Sequence, residues 1–141
     1  MINKNNISFL TAYIELDKAC CHRFGIKSGG VSMYINKLVQ ERMIPEREEV
    51  LPRLIRYRNL RNKLAHDEGA INNITEIEKS DLKWIQNFTK SVSKKKDPIT
   101  VYEAKTQIYF RNKKIGNILK ISLIGILAVI AVVALKYFAI I

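Results

Sequence analysis

The feature that most constrains this sequence is an apolar stretch near its C-terminal end. Fifteen consecutive residues, 121–135, carry no charge, and twelve of the twenty residues from 118 to 137 are Leu, Ile or Val. Twenty helical residues span about 30 Å, the thickness of a bilayer's hydrocarbon core. The alternative is a buried core helix, but a chain of 141 residues is too small to cover a helix that is apolar on every side. We therefore predict a single transmembrane helix within residues 115–141.

The positive charge of the chain is concentrated around this stretch. The formal net charge is +11. Residues 1–92 hold 15 basic and 11 acidic side chains, whereas residues 93–141 hold 9 basic and 2 acidic ones. Because Lys and Arg beside a membrane span remain in the cytoplasm, we predict a single-pass membrane protein with a cytoplasmic N-terminal domain. The basic segment before the span is expected to contact the lipid bilayer, since anionic headgroups attract such segments.

The remainder of the sequence predicts a helical domain. Its apolar residues recur at intervals of three and four in four segments, and no segment alternates with a period of two. Four such helices with short connections most simply form an antiparallel four-helix bundle. We predict an all-α fold with the bundle at 1–95, a basic juxtamembrane linker at 96–114 and the transmembrane helix at 115–141. The four bundle helices are expected at about 7–24, 31–43, 45–65 and 75–92.

Finer details of these helices also follow from local patterns. Pro52 cannot supply an interior hydrogen bond, so it should kink the third helix or mark a restart. Thr75 and Glu78 match a capping box, which would begin the fourth helix. Residues 99–102 can form either a short strand or the start of a helix continuous with the anchor. The stripe that the first helix is expected to bury consists of Ile7, Leu10, Ile14, Cys21 and Phe24.

The third helix has an unusual distribution of charge. From Val50 to His66 it carries five basic residues and no acid. Arg61 occupies a position on its apolar stripe, where an arginine snorkels, pairs with a carboxylate or binds a phosphate. Asp17 and Asp81, which interrupt apolar stripes elsewhere, are the candidate carboxylates. The apolar members of the stripe are Val50, Leu54, Tyr57 and Leu64.

Two further polar residues stand near the end of this helix. Asn62 and His66 are one turn apart and share a face. Arg61 and His66, in contrast, lie about 140° apart on an ideal helix. They converge only if the helix unwinds near Ala65 or if a second subunit completes the site.

The segment Tyr57–His66, YRNLRNKLAH, resembles the signature of the HEPN superfamily. That signature is an arginine, a polar residue that is often asparagine, three further residues and a histidine, and Arg61, Asn62 and His66 match it. The resemblance implies a metal-independent endoribonuclease that needs no cofactor and cleaves RNA as a homodimer. Many members act as toxins or phage-defence effectors, so an antitoxin or a defence-system protein is an implied partner.

The resemblance assigns roles that suit these side chains. His66 would exchange protons with the RNA 2′-hydroxyl or the leaving 5′-oxygen, and Arg61 would stabilise charge on the phosphorane. Asn62 would orient the phosphate or the histidine. Arg58 and Lys63 would add attraction to the RNA backbone that is independent of base sequence. Asp17 is a candidate orienting carboxylate for Arg61. No metal site is predicted.

Two departures from the family pattern follow the histidine. Some HEPN toxins place a tyrosine two residues after it, where this chain has Glu68, so regulation by modification of such a tyrosine is not expected. Asp67 and Glu68 also put negative charge beside the expected phosphate site. The alternative function is a membrane-anchored sensor or adaptor that dimerises and recruits a partner, with Arg61 and His66 in structural roles. A third possibility makes the membrane helix the effector, which would damage the bilayer on oligomerisation.

Overall fold

The computed structural model describes residues 3–67 and 69–139, and every regular element in these ranges is a helix. The predicted all-α fold is therefore confirmed, with a helical bundle followed by one long apolar helix. The elements are α1 (Lys4–Phe24), α2 (Gly30–Gln40), α3 (Arg47–His66), α4 (Ala70–Asn73), α5 (Lys79–Ser93) and α6 (Pro98–Ala139).

The chain divides into two compact units, Met1–Tyr102 and Glu103–Ile141. In the first unit α1 is the central element, because it packs against α2, α3 and α5. A run of aromatic rings links these helices through the core, and each such pair contributes about 0.5–1.5 kcal/mol beyond its buried area. The ring-centroid distances are 5.7 Å for Phe9–Tyr57, 5.6 Å for Tyr57–Trp84, 4.8 Å for Trp84–Phe88 and 5.3 Å for Tyr34–Phe88.

The first helix is rotated relative to the sequence prediction. Ile7 and Ile14, expected in the buried stripe, are 44% and 48% exposed. Asn6 lies on the buried face instead and donates through Nδ2 to the backbone carbonyls of Ile71 and Ile74, both at 2.9 Å. These two hydrogen bonds offset part of the cost of burying the amide, whose Oδ1 has no partner among the described residues. The buried face of α1 consists of Asn6, Phe9, Ala12, Tyr13, Leu16, Cys20 and Cys21.

The third helix, in contrast, follows its predicted pattern. All four apolar members of its predicted stripe are buried, as is Leu60. The helix continues through Pro52 to His66, so the proline does not mark a restart. A kink at Pro52 stays a prediction. Since the helix is unbroken at Ala65, the local unwinding that would bring Arg61 and His66 together does not occur.

The start of α5 differs from the prediction. The capping box is formed by Glu78 and Asp81, so the assignment to Thr75 and Glu78 is wrong. The Oδ2 atom of Asp81 accepts from the Glu78 N–H at 3.0 Å. The short helix α4 and the extended segment after it occupy the chain as far as Ile77, which is buried without being helical. The predicted capping box therefore lies three residues too early in the chain.

The long helix α6 begins at a buried carboxylate. Asp97 precedes its first residue and accepts from the Tyr34 hydroxyl at 2.7 Å, from Arg23 Nε at 3.4 Å and from the Thr100 N–H at 3.3 Å. Residues 99–102 are therefore helical, and the strand alternative is wrong. Within the described residues, the candidate membrane span has a mean hydropathy of 2.8 over 18 residues, none of them buried. This helix is long and apolar enough to cross a membrane.

Candidate functional site

Several of the predicted site residues line one cavity in the bundle. The cavity has a volume of about 470 Å³ and is bounded by α1, by the connection from α1 to α2, and by α3. Tyr13, Ile14 and Asn62 form part of its wall. Its charged lining consists of Asp17 and Lys18 from α1, Lys27 from the connection, and Arg58 and Arg61 from α3.

The connection between α1 and α2 is held against α1 by glycines. Gly25 and Gly29 have φ angles of 66° and 74°, a left-handed conformation that side chains other than glycine rarely adopt. A Cβ atom on Gly30 would lie 2.4 Å from the backbone oxygen of Asp17 and 2.4 Å from the backbone nitrogen of Cys21. Because α2 begins in direct contact with the α1 backbone, the intervening residues, Lys27 included, are kept at the cavity.

Asp17 has a structural partner of its own. Its Oδ1 accepts from the Val31 N–H at 2.9 Å, and the Cys21 Sγ lies 3.7 Å from its Oδ2. Asp17 thus caps the N-terminus of α2 from a neighbouring helix, where a carboxylate also interacts favourably with the helix dipole. It shares the cavity with Arg61, but no ion pair joins the two among the described residues. Its role as an orienting carboxylate stays a prediction.

The two arginines of the cavity also lack acidic partners. Across residues 3–67 and 69–139, neither Arg58 nor Arg61 forms an ion pair. Arg61 Nη1 donates to Asn62 Oδ1 at 3.2 Å, a contact between neutral and charged groups that leaves the positive charge uncompensated. A guanidinium in this state can bind a carboxylate or phosphate through two parallel N–H donors.

The other flank of α3 is organised differently. Arg56 Nη1 donates to Asp81 Oδ1 at 2.8 Å, and its Nη2 donates to the Glu76 carbonyl at 2.9 Å. Asp81 also accepts from the Tyr57 hydroxyl at 2.9 Å. Burial alone would raise the pKa of Asp81, but its hydrogen bonds from the Glu78 N–H, Arg56 and Tyr57 lower it. The suggestion that Asp81 pairs with Arg61 is therefore wrong, because Arg56 is its partner.

His66 and Lys63 lie apart from the cavity. His66 is exposed as the last residue of α3, and the Asp67 N–H that follows it donates to the Lys63 carbonyl at 2.9 Å. Lys63 lines a separate groove of about 400 Å³ with Arg56 and Glu76. One chain thus brings together Asp17, Arg58, Arg61 and Asn62, and separates them from His66 and Lys63.

Sequence reasoning missed several cavity residues, among them Tyr13, Lys18 and Lys27. Burial raises the pKa of Tyr13 to about 12, with a further contribution from Asp17, while Arg61 and Arg58 oppose the shift. The phenol therefore stays protonated at neutral pH and can act as a donor. The run Lys27-Ser-Gly-Gly before a helix was the available signal, since hydroxyls and backbone N–H groups at helix starts favour anions. Nothing local distinguished Lys18 from other surface lysines.

Metal chemistry has less support among the described side chains. They contain no group of three or more His, Cys, Asp or Glu residues that could hold a metal ion. The cavity instead presents four cations and one carboxylate, and that carboxylate already accepts a hydrogen bond from α2. Its chemistry is that of an anion site.

Comparison with known proteins gives one match. A model of a protein family described as a family of unknown function, DUF6548, matches residues 7–117. This range contains all of α1 after its first three residues, the helices α2 to α5, and the first part of α6. No curated protein and no solved structure matches the chain. Because the family model covers most of the sequence, the chain belongs to DUF6548, a family of unknown function.

Proposed function

We propose that this chain is a membrane-tethered endoribonuclease of the HEPN type, which cleaves RNA as a dimer without a metal ion. The observation that carries the proposal is the pair Arg58 and Arg61, which line one cavity with Asn62 and have no acidic partner among the described residues. An RNA phosphodiester is an anion that such a pair can bind. The Arg-Asn-x-x-x-His pattern of Arg61, Asn62 and His66 supplies the resemblance to the superfamily.

The geometry of α3 supports the dimer in this proposal. Because the helix is regular as far as His66, Arg61 and His66 of one chain face directions about 140° apart. In the proposal, two copies place their α3 helices together, so that the imidazole of one copy approaches the cavity of the other. A two-fold axis creates two such sites from one contact, because each patch meets its equivalent.

The proposed reaction is an internal transfer at phosphorus. His66 takes the proton from the 2′-hydroxyl, the 2′-oxygen forms a bond to phosphorus, and the bond from phosphorus to the 5′-oxygen breaks. The leaving oxygen receives a proton from an imidazolium, and the products are a 2′,3′-cyclic phosphate and a 5′-hydroxyl. Arg61 stabilises the charge that develops on the phosphorane, and Asn62 orients the phosphate.

The tether in this proposal is the apolar part of α6, with the bundle in the cytoplasm. Seven basic residues that precede the apolar stretch support this orientation, because Lys and Arg near a span are retained in the cytoplasm. Toxin or phage-defence activity would suit such a nuclease, with an antitoxin or defence-system protein as partner. The seven residues are Lys94, Lys95, Lys96, Lys105, Arg111, Lys113 and Lys114.

One observation favours a second function, a non-catalytic membrane-anchored adaptor. His66 lies outside the cavity of its own chain, next to the exposed carboxylate of Asp67. If no second copy brings His66 to Arg61, the cavity binds an anion without a proton-transfer group beside it. The chain would then dimerise and recruit a partner through the same surface.

An RNA-cleavage assay separates these functions. The full chain in detergent micelles is incubated with single-stranded and hairpin RNA, beside His66→Ala and a matched control, His22→Ala, which removes an exposed histidine of α1. We expect the wild type and the control to produce 2′,3′-cyclic phosphate ends, also in EDTA, and His66→Ala to be slower by about 10²–10⁴-fold. Intact RNA with folded, dimeric wild type across these substrates would favour the adaptor.

A further inference from the structure

Two cations of the cavity have no part in the reaction proposed above. Lys18 lies on α1 and Lys27 on the connection to α2, and both line the same cavity as Arg58 and Arg61 of α3. Within the described residues, none of these four cations forms an ion pair. Four unpaired positive charges around one concavity repel each other, and a bound anion would relieve this repulsion.

Asp17 is the only acid among the described lining residues, and it compensates only one of the four positive charges. Its carboxylate accepts from the Val31 N–H and lies near the Cys21 thiol, so it serves the junction of α1 and α2. The lining side chains together carry four positive charges and one negative charge. The cavity is therefore strongly cationic even with Asp17 ionised.

The elements that carry the two lysines are held in place by packing. The close approach of Gly30 to the α1 backbone and the cap from Asp17 fix the start of α2. Ser28 and Ser32 flank this start and line the same cavity, which adds two hydroxyl donors to the lysine ammonium groups. Ammonium and hydroxyl donors on well-packed elements are suited to phosphate oxygens.

We propose that Lys18 and Lys27 form a second phosphate subsite, which holds the RNA phosphate adjacent to the one bound by Arg58 and Arg61. The inference rests on the proposed function and deepens it, since it gives the path of the strand from α3 to α1 and the α1–α2 connection. The cavity volume of about 470 Å³ exceeds that of a lone phosphate and falls within the range of about 300–1,000 Å³ that is typical of small-molecule sites.

The chemistry of this subsite is that of a phosphate ester, for which an RNA strand and a free nucleotide are two sources. The strand is favoured because the cavity holds two pairs of cations, one on α3 and one on α1 and its connection to α2, so that consecutive phosphates can bind one pair each. Tyr13 and the half-exposed Ile14 also line the cavity, where they can contact the nucleoside. A free nucleotide with one phosphate would use only one pair.

The test measures binding of a non-cleavable probe to the full chain in detergent micelles. The probe is a fluorescent 2′-O-methyl oligoribonucleotide of about ten residues, and binding is followed by anisotropy at several salt concentrations. The double variant Lys18→Ala/Lys27→Ala is compared with Lys83→Ala/Lys90→Ala, which removes two exposed lysines of α5 outside the cavity. We expect the cavity variant to bind at least tenfold more weakly, with a salt slope that falls by about one per lost phosphate contact.

Equal loss in the two double variants would overturn the subsite, because a general charge effect would then account for it. Adenosine monophosphate and inorganic phosphate are added as competitors, and we expect them to displace the probe only at far higher concentrations than unlabelled RNA does. Displacement by adenosine monophosphate at concentrations similar to RNA would overturn the assignment to a strand.

The cleavage assay distinguishes failure of the subsite from failure of the proposed nuclease. If the wild type cleaves RNA while the cavity variant binds the probe as the α5 variant does, the subsite is wrong and the nuclease stands. If the cavity variant alone loses the probe and the wild type cleaves nothing, the subsite stands and the nuclease is wrong.

Discussion

The two flanks of α3 carry the same kind of residue in opposite circumstances. On one flank, Arg56 contacts Asp81 of α5, and Arg53 contacts Glu49 at 3.5 Å. On the other flank, Arg58 and Arg61 have no acidic partner among the described residues. Identical side chains on one helix thus either pair with a carboxylate or line the cavity without one. The difference is set by what the neighbouring helices place opposite each arginine.

The neighbouring helices do offer a carboxylate to each flank. Asp81 lies opposite Arg56, and Asp17 lies in the cavity with Arg61. Both carboxylates accept a backbone N–H at a helix start, from Glu78 and from Val31 respectively. Asp81 also accepts a hydrogen bond from Arg56, whereas Asp17 accepts from the Val31 N–H and has no ion pair with Arg61 among the described residues. Asp17 caps α2, and Arg58 and Arg61 have no acidic partner in the described part of the chain.

The largest expected effect is the contrast between Arg61→Ala and Arg56→Ala. Removing Arg61 should slow RNA cleavage by about 10²–10³-fold, because the developing phosphorane charge loses its donor. The melting temperature of Arg61→Ala, followed by circular dichroism, should stay at the wild-type value. Arg56→Ala should show the reverse pattern, with lower stability and nearly unchanged cleavage per folded molecule. A variant of Arg61 that loses its helicity would show instead that both flanks are structural.

The next largest effect concerns Asp81, which pairs with Arg56 on one flank of α3. Asp81→Ala should lower the free energy of unfolding by about 2–4 kcal/mol, because it removes a helix cap and leaves the buried Tyr57 hydroxyl without its acceptor. This figure lies below that of a fully buried ion pair, since the Arg56 side chain is 46% exposed and water can solvate it. Denaturant unfolding of the full chain in micelles measures it, with the exposed Asp67→Ala as control. Equal changes in the two variants would contradict the assignment of Asp81.

The smallest expected effect is the pH dependence of the contribution that Asp81 makes to the free energy of unfolding. The pKa of Asp81 is lowered in the folded bundle, against the effect of burial, by hydrogen bonds from Glu78, Arg56 and Tyr57. Its contribution to stability is therefore complete above its unfolded pKa of about 4, and is lost as the pH falls through the lower folded value. The unfolding free energy of the wild type should fall more steeply below about pH 4 than that of Asp81→Asn. Parallel curves for the two proteins would exclude Asp81 from the acid response.

Part of the fold was predictable because the relevant patterns are local. The apolar stretch of α6 and the buried stripe of α3 depend only on which residues follow each other, and the helical period converts that order into faces. The candidate site could be predicted in the same way as far as Arg58, Arg61 and Asn62, which share a flank of one helix.

The rest depended on contacts between residues far apart in the chain. The rotation of α1 buries Asn6, whose amide donates to the carbonyls of Ile71 and Ile74, and a polar residue gives no sign in the sequence that it will be buried. The α5 cap was placed three residues early because Ile77 is buried outside the helix.

The sequence by itself determined the long apolar helix, the helical bundle and the position of the Arg-Asn-x-x-x-His pattern in α3. Only the tertiary structure decided which arginine pairs with which carboxylate, and that Lys18 and Lys27 line the same cavity as Arg61. The physical reason is the range of the interactions. Helix periodicity acts over one or two turns, whereas charge pairing and cavity lining depend on which helices pack together and on how each is rotated.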